Sequence, residues 1–180
     1  MKATGIVRRI DELGRVVIPK EIRKTLRLSS GDPLEIYTDR DELLFRKYSP
    51  IRSIDGFAEE FSAALREISG YSAAVCDTDF VVACHGAKEF TGKPVSAETE
   101  RVMRERRTMI INATEGGSPL NLTSDAQKPF SAEVIAPVIV NGDCIGACVL
   151  FSFDEGVRMR ETDVKLAKMS AELLSRRFAE

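Results

Sequence analysis

Two residues near the start of the chain, Gly14 and Pro19, restrict its folding more than any others. Gly14 separates two short segments of strand-like alternation, residues 5–10 and 15–18. A proline fixes its own φ and pushes the preceding residue into an extended conformation, so Pro19 ends the second strand at Ile18 and opens a helix predicted over 20–28. Side chains alternate along a strand, which puts Ile6, Arg8 and Ile10 on one face and Val7 and Arg9 on the other. Neither face is purely apolar, and a strand of this kind cannot bury itself within one chain. In the helix, Ile22 and Leu26 lie one turn apart on one face, Arg23 and Arg27 on another, with Lys24 beside them. Ser29-Ser30-Gly31-Asp32-Pro33 is predicted to end the helix. A second hairpin then follows from Leu34 and Ile36 through the turn 39–42 to 43–45. The result is a ββαββ unit of about 47 residues, a size at which a single core rarely sustains itself. An obligate dimer with interleaved hairpins is the expected solution.

Charge separates this unit from the rest. The net charge of the 180 residues is -2, yet residues 1–50 carry eleven basic against eight acidic side chains, leaving a net of about -5 for the remainder. Residues 1–28 are more polarised, with eight basic and three acidic side chains. Positive charge gathered at one end suggests a polyanionic partner for that end, and arginine's planar fork suits both phosphates and guanine edges. No apolar run approaches the roughly 20 residues of a membrane helix, and 1–4 lack the apolar core of a signal peptide, so a cytoplasmic protein is expected.

Residues 51–55 read as a linker, and 56–180 as an α+β domain. Ile54, Phe57, Phe61, Leu65 and Ile68 recur at helical spacing up to Gly70. Two β-rich runs, 71–76 and 80–84, flank Asp77-Thr78-Asp79, and Ser96 is placed to cap a helix over 97–107. Residues 88–95 read as a loop and 109–111 as a strand, while 112–130 is polar enough for a lid or a disordered segment. The strongest strands are 132–140 and 144–153, joined by Asn141-Gly142-Asp143. Val164, Ala167, Ala171, Leu174 and Phe178 form a packing seam on a last helix over 162–178, a seam that can also pair between subunits.

The uninterrupted stretch from Thr4 to Leu26, with Gly14-Arg15-Val16-Val17-Ile18-Pro19 as its most specific core, resembles the DNA-binding domain of the AbrB family of transition-state regulators over residues 1–50. The resemblance implies a swapped-hairpin dimer on double-stranded DNA. The family's basic contact positions fall on Arg8, Arg15, Arg23 and Lys24, with Arg9 an added basic neighbour. Joined to an acidic domain with the order of elements of a GAF fold, the module resembles sporulation regulators of endospore-forming bacteria. That implies a homo-oligomer, with a tetramer as the expected assembly, and a transcription factor that activates and represses genes in the forespore. The Asn-Lys-Phe-Asp-Glu signature of cyclic-nucleotide-binding GAF domains is absent, and no cofactor is implied. A pocket for another small effector is expected between the sheet, the loop 112–130 and the Ser96 helix. Antitoxins with the same N-terminal fold supply the alternative, a protein-binding module with a flexible toxin-binding tail.

Other chemistry is weakly represented. Cys144 and Cys148 on a strand stand about 13 Å apart, four steps of roughly 3.3 Å, too far for one zinc ion. Cys76 and Cys84 read likewise as buried structural thiols in a chain without a secretion signal. His85 fits an edge strand and lies in no recognisable catalytic motif, and Gly116-Gly117-Ser118 lacks the lysine and helix of a phosphate loop. A non-enzymatic protein with no catalytic residue and no metal is the expectation.

Overall fold

The computed structural model describes residues 5–125 and 128–178, and the chain divides between Tyr48 and Ser49 into two units. In the first unit the only helix among the described residues is α1, Lys20–Thr25, entered from Pro19 as expected. It is shorter than the predicted 20–28 because Arg27 turns left-handed at φ 53, while Leu28 N donates to the Arg23 carbonyl and closes the helix end. The hairpin β1, Leu34–Asp39, and β2, Glu42–Lys47, pairs antiparallel from Leu34 opposite Lys47 to Asp39 opposite Glu42. Asp32 ties the approach to this hairpin by accepting from Ser29 N at 2.8 Å and pairing with Lys47 Nζ at 3.3 Å.

The strands expected over 5–10 and 15–18 are not formed in the single chain; only their turn is. Gly14 N donates to the Asp11 carbonyl, and Asp11 N to the Arg15 carbonyl. Gly14 holds φ 75, a left-handed conformation that glycine adopts without the Cβ penalty. The physical reason for the missing ladder is burial. Of the seventeen exposed large apolar side chains among the described residues, thirteen belong to the first unit, with Val7, Leu13 and Val17 each at least 74% exposed. Pro19 is its one buried residue among those described.

The second unit begins earlier than its expected boundary. Residues 51–55 are not a free linker: Ile51 is fully buried in the core, and a 3-10 turn over Arg52–Ile54 leads directly into α2, Asp55–Ser69. Gly70, left-handed at φ 73, ends α2 as its sequence position implies. Then follow β3 (Ser72–Asp77), β4 (Val81–His85), α3 (Ala97–Glu105), β5 (Met109–Asn112), β6 (Ala132–Val140), β7 (Asp143–Ser152) and α4 (Glu161–Arg176). The five strands form one antiparallel sheet in the order β4-β3-β7-β6-β5. The tight β6–β7 connection works because Asn141 and Gly142 both take positive φ.

Strand alternation divides the core into two layers. Val75, Val134, Cys148 and Leu150 face α2 and α4, whereas Cys76, Ile135, Val149 and Phe151 face α3 and the loops around it. The α4 seam is spent inside this unit: Ala167, Ala171 and Leu174 are buried in the layer shared with the sheet, and the surface left outward includes Met169 and Leu173. Ser96 caps α3 as expected, accepting from Thr99 N at 3.1 Å, an interaction worth about 1 kcal/mol.

The described part of the loop over 112–130 is ordered by anchors, contrary to a disordered reading. Leu122 and Thr123 are fully buried, Ser96 N donates to the Leu122 carbonyl, and Val95 bridges Thr123. Asn112 holds the other end, donating through Nδ2 to the Met159 carbonyl and accepting from Met159 N. Residues 126 and 127 lie outside the described part. Residues 88–95, expected as a loop, contain a 3-10 turn over Lys88–Phe90 that buries Phe90. No helix among the described residues is long and apolar enough to cross a membrane.

Candidate functional site

The five cations selected from the sequence all lie in the first unit, and all are exposed. Arg8 and Arg9 sit on the first arm of the unladdered hairpin, and Arg8 Nη1 donates to the Val7 carbonyl. Arg15 stands just past the turn, its side chain 70% exposed, with Nε 2.7 Å from Asp11 Oδ2. Asp11 organises that turn. Its carboxylate accepts from Leu13 N, Arg15 N and Arg15 Nε, and the Arg15 backbone and guanidinium hold it below the usual carboxylate range. An exposed pair of this kind contributes little to stability, so Arg15 can exchange its partner at small cost. Arg23 and Lys24 share the last turn of α1, where cations also favour the helix dipole. All five belong to the unit that also carries thirteen of the seventeen exposed large apolar side chains among the described residues.

The cysteines and the histidine have structural surroundings. Burial pushes the Cys76, Cys84 and Cys148 thiols up, away from the thiolate that a nucleophile or metal ligand needs. Cys144 donates to the Gly146 carbonyl at 3.2 Å. His85 ends the edge strand β4, with Nδ1 2.9 Å from Ser62 Oγ and Nε2 3.8 Å from Glu59 Oε2. Ser62 is fully buried and its hydroxyl also donates to the Glu59 carbonyl, so the group fastens β4 to α2.

Among the described residues, aromatic side chains take up space beside α3, where the effector pocket is expected. Phe90, Phe130, Phe151 and Phe153 occupy that space with ring centroids 4.4 to 6.4 Å apart, together with Leu122 and Val102. A cavity of about 560 Å³ lies instead on the opposite side of the sheet, lined by Arg106, Arg107 and Thr108, by Ala136 and Pro137 of β6, and by Lys168 of α4. Sequence reasoning missed this set because three separated segments contribute to it; the adjacent arginines after α3 were its one visible sign. Glu133 was also missed, though a lone carboxylate inside the apolar run of β6 was a usable signal. It is 1% exposed, burial pushes it up to about 8, Oε2 accepts from Leu120 N at 2.8 Å, and Oε1 has no partner among the described residues.

Comparison with known proteins fits both units. Residues 53–179 match the family described as stage V sporulation protein T C-terminal, transcription factor, and residues 7–53 match that of antidote-toxin recognition MazE, bacterial antitoxin. Stage V sporulation protein T of Bacillus subtilis is 42% identical over 181 residues, covering 99% of each chain. The transition state regulatory protein AbrB of the same organism is 58% identical over 50 residues, 28% of this chain and 52% of that protein. The GAF domain of an Acinetobacter phosphoenolpyruvate-protein phosphotransferase superposes with a TM-score of 0.57 at 11% identity, covering 68% of this chain and 80% of that one. This last likeness concerns fold alone and identifies the second unit as a GAF fold. With one relative matched end to end and a family match over most of its length, the chain belongs to the stage V sporulation protein T family of transcription factors.

Proposed function

We propose that the chain is a DNA-binding regulator of sporulation genes, activating some and repressing others in the forespore cytoplasm. The observation that carries this reading is the first unit itself: a basic hairpin without a ladder and a basic helix beside apolar side chains that lack a cover. A second copy of the chain supplies the missing ladder and apolar cover, which doubles the cations along a DNA groove. Arg8, Arg9, Arg15, Arg23 and Lys24 are the proposed contacts. The second unit joins dimers into a tetramer and senses a small molecule.

Binding to duplex DNA is expected to weaken steeply with salt, since each neutralised phosphate releases condensed counterions. Arg15→Ala and Arg23→Ala are each expected to lower affinity at least tenfold and to reduce the salt slope by about 0.9 for every phosphate that is no longer neutralised. Filter binding or fluorescence anisotropy across a salt series measures both. Unchanged affinity and slope in correctly folded variants would remove these residues from the interface.

The likeness of residues 7–53 to an antitoxin family supports a second reading, in which the chain beyond the first unit wraps a toxin. The two-layered core after Tyr48 favours the regulator instead. Limited proteolysis of the full chain is expected to leave a stable fragment beginning near Ser49. Rapid digestion of that half would favour the antitoxin reading.

A further inference from the structure

We infer that the cavity between β6 and α4 binds a small organic anion, one anionic head on an aliphatic body. The inference rests on the sensor role proposed above only for its consequence at DNA; binding itself is independent of that role. The space arises from unequal strand lengths. β5 covers β6 only from Ala132 to Ile135, and past that point the outer edge of β6 has no strand beside it among the described residues. Pro137 lies on this bare edge and offers no N–H, a placement that fits an edge which is not extended by another strand. The turn after α3 and one face of α4 supply the rest of the lining.

The lining is divided by chemistry. Ala136, Ile139 and Ala171 give the cavity apolar lining, whereas Arg107, from the turn after α3, and Lys168, from α4, bring positive charge. Neither Arg107 nor Lys168 makes an ion pair among the described residues, and both are exposed. One acid, Glu172, also lines the cavity, but its carboxylate pairs with Arg176 at 2.9 Å; Asp143, outside the lining, lies 3.6 Å from Arg106, a third cation of the lining. Two such cations over an apolar wall favour an anion that also has hydrocarbon to bury, and about 560 Å³ suits a small ligand. Inorganic phosphate would leave the wall wet, and a neutral alcohol would leave the cations unanswered. The site lies across the sheet from the aromatic cluster of Phe90, Phe130, Phe151 and Phe153, so the two layers keep separate tasks.

Equilibrium dialysis of the full-length chain against octanoate, 1-octanol and inorganic phosphate tests the inference. Octanoate is expected to saturate at one per chain, with the alcohol and phosphate each at least tenfold weaker. Arg107→Gln and Lys168→Gln are each expected to weaken octanoate about tenfold. Arg104→Gln, an exposed cation outside the cavity, is expected to leave it unchanged. Circular dichroism of each variant checks the fold, and because both cations are exposed the variants should retain it. Equal binding of octanol and octanoate, or full octanoate affinity in the Arg107→Gln/Lys168→Gln double variant, would overturn the assignment. Phosphate binding as tight as octanoate would overturn the amphipathic ligand class. DNA affinity in the absence of octanoate is measured on the same variants: its retention alongside weakened octanoate binding supports the site, and a failed cavity leaves the arginine and salt tests of DNA binding untouched.

Discussion

Gly146→Val is expected to cost the second unit roughly 3 kcal/mol or more, enough to unfold a domain of ordinary stability. Gly146 lies on the central strand β7, opposite Asp77 on one side and Val138 on the other. A Cβ at this position would stand 2.0 Å from the Cys76 carbonyl oxygen and 2.5 Å from Ile51 Cδ1. The first obstacle is backbone in the neighbouring strand, so a rotamer change cannot relieve it; β3 would have to move away from β7 and surrender ladder bonds. Urea denaturation of the full chain, followed by far-ultraviolet circular dichroism, measures the loss. Gly56→Ala is the control, since a Cβ there meets nothing within 4 Å on helix α2 and alanine suits a helix better than glycine by about 0.5–1 kcal/mol. A wild-type urea midpoint for Gly146→Val would show that the sheet relaxes around the added methyls.

The second large effect is a pH dependence carried by Glu133. Its carboxyl ionises near 4.5 when free in the unfolded chain and near 8 in its buried site. Between those values the unfolded chain has released a proton that the native chain still holds, so stability falls as pH rises, by up to about 1.4 kcal/mol per pH unit. Below pH 4.5 nothing is lost through this group, and above pH 8 the loss is complete. Glu133→Gln removes the titration while its carbonyl can still accept from Leu120 N; the amide nitrogen inherits the partnerless side. The variant is therefore expected to be about 1 kcal/mol less stable than wild type at pH 5 and about 2–3 kcal/mol more stable at pH 8. Urea midpoints at both pH values give the comparison. Parallel pH profiles for the two proteins would show that Glu133 already ionises freely in the folded state.

Local chemistry made some of this architecture readable in the sequence. The Asn141-Gly142 turn, the Gly70 stop and the Ser96 cap are signals in which a residue's own conformational preference or hydrogen-bonding group decides the backbone, and the structure uses each of them. The apolar runs over 132–140 and 144–153 likewise marked β6 and β7 as strands. Legibility ended where order depends on neighbours distant in sequence. Leu122 anchors a polar segment through burial and one backbone bond to Ser96, neither of which leaves a periodic trace. Ile51 follows a proline in a stretch resembling a tether, yet its pocket is built by strands about a hundred residues later. The α4 seam was visible as a seam, but spacing alone does not say whether a sheet or another helix receives it. Among candidate binding residues, the cations of the first unit formed a local cluster and could be selected from sequence. Arg107 and Lys168 could not, because only the termination of β5 at one end of β6 brings their segments around a common space.

The uncovered first unit has a further consequence for regulation in time. A segment completed by a second copy assembles as the square of free chain concentration in the dilute regime, so halving the supply leaves roughly a quarter as many completed pairs. Copy number then sets a threshold: while chains are scarce the basic arms are present but not yet shaped to read a groove. If the second unit holds neighbours together as proposed, the local supply would no longer fall with dilution, and the threshold would become a latch. The thirteen apolar side chains left outward in this unit would thus act as a counter of molecules as well as a surface awaiting a partner.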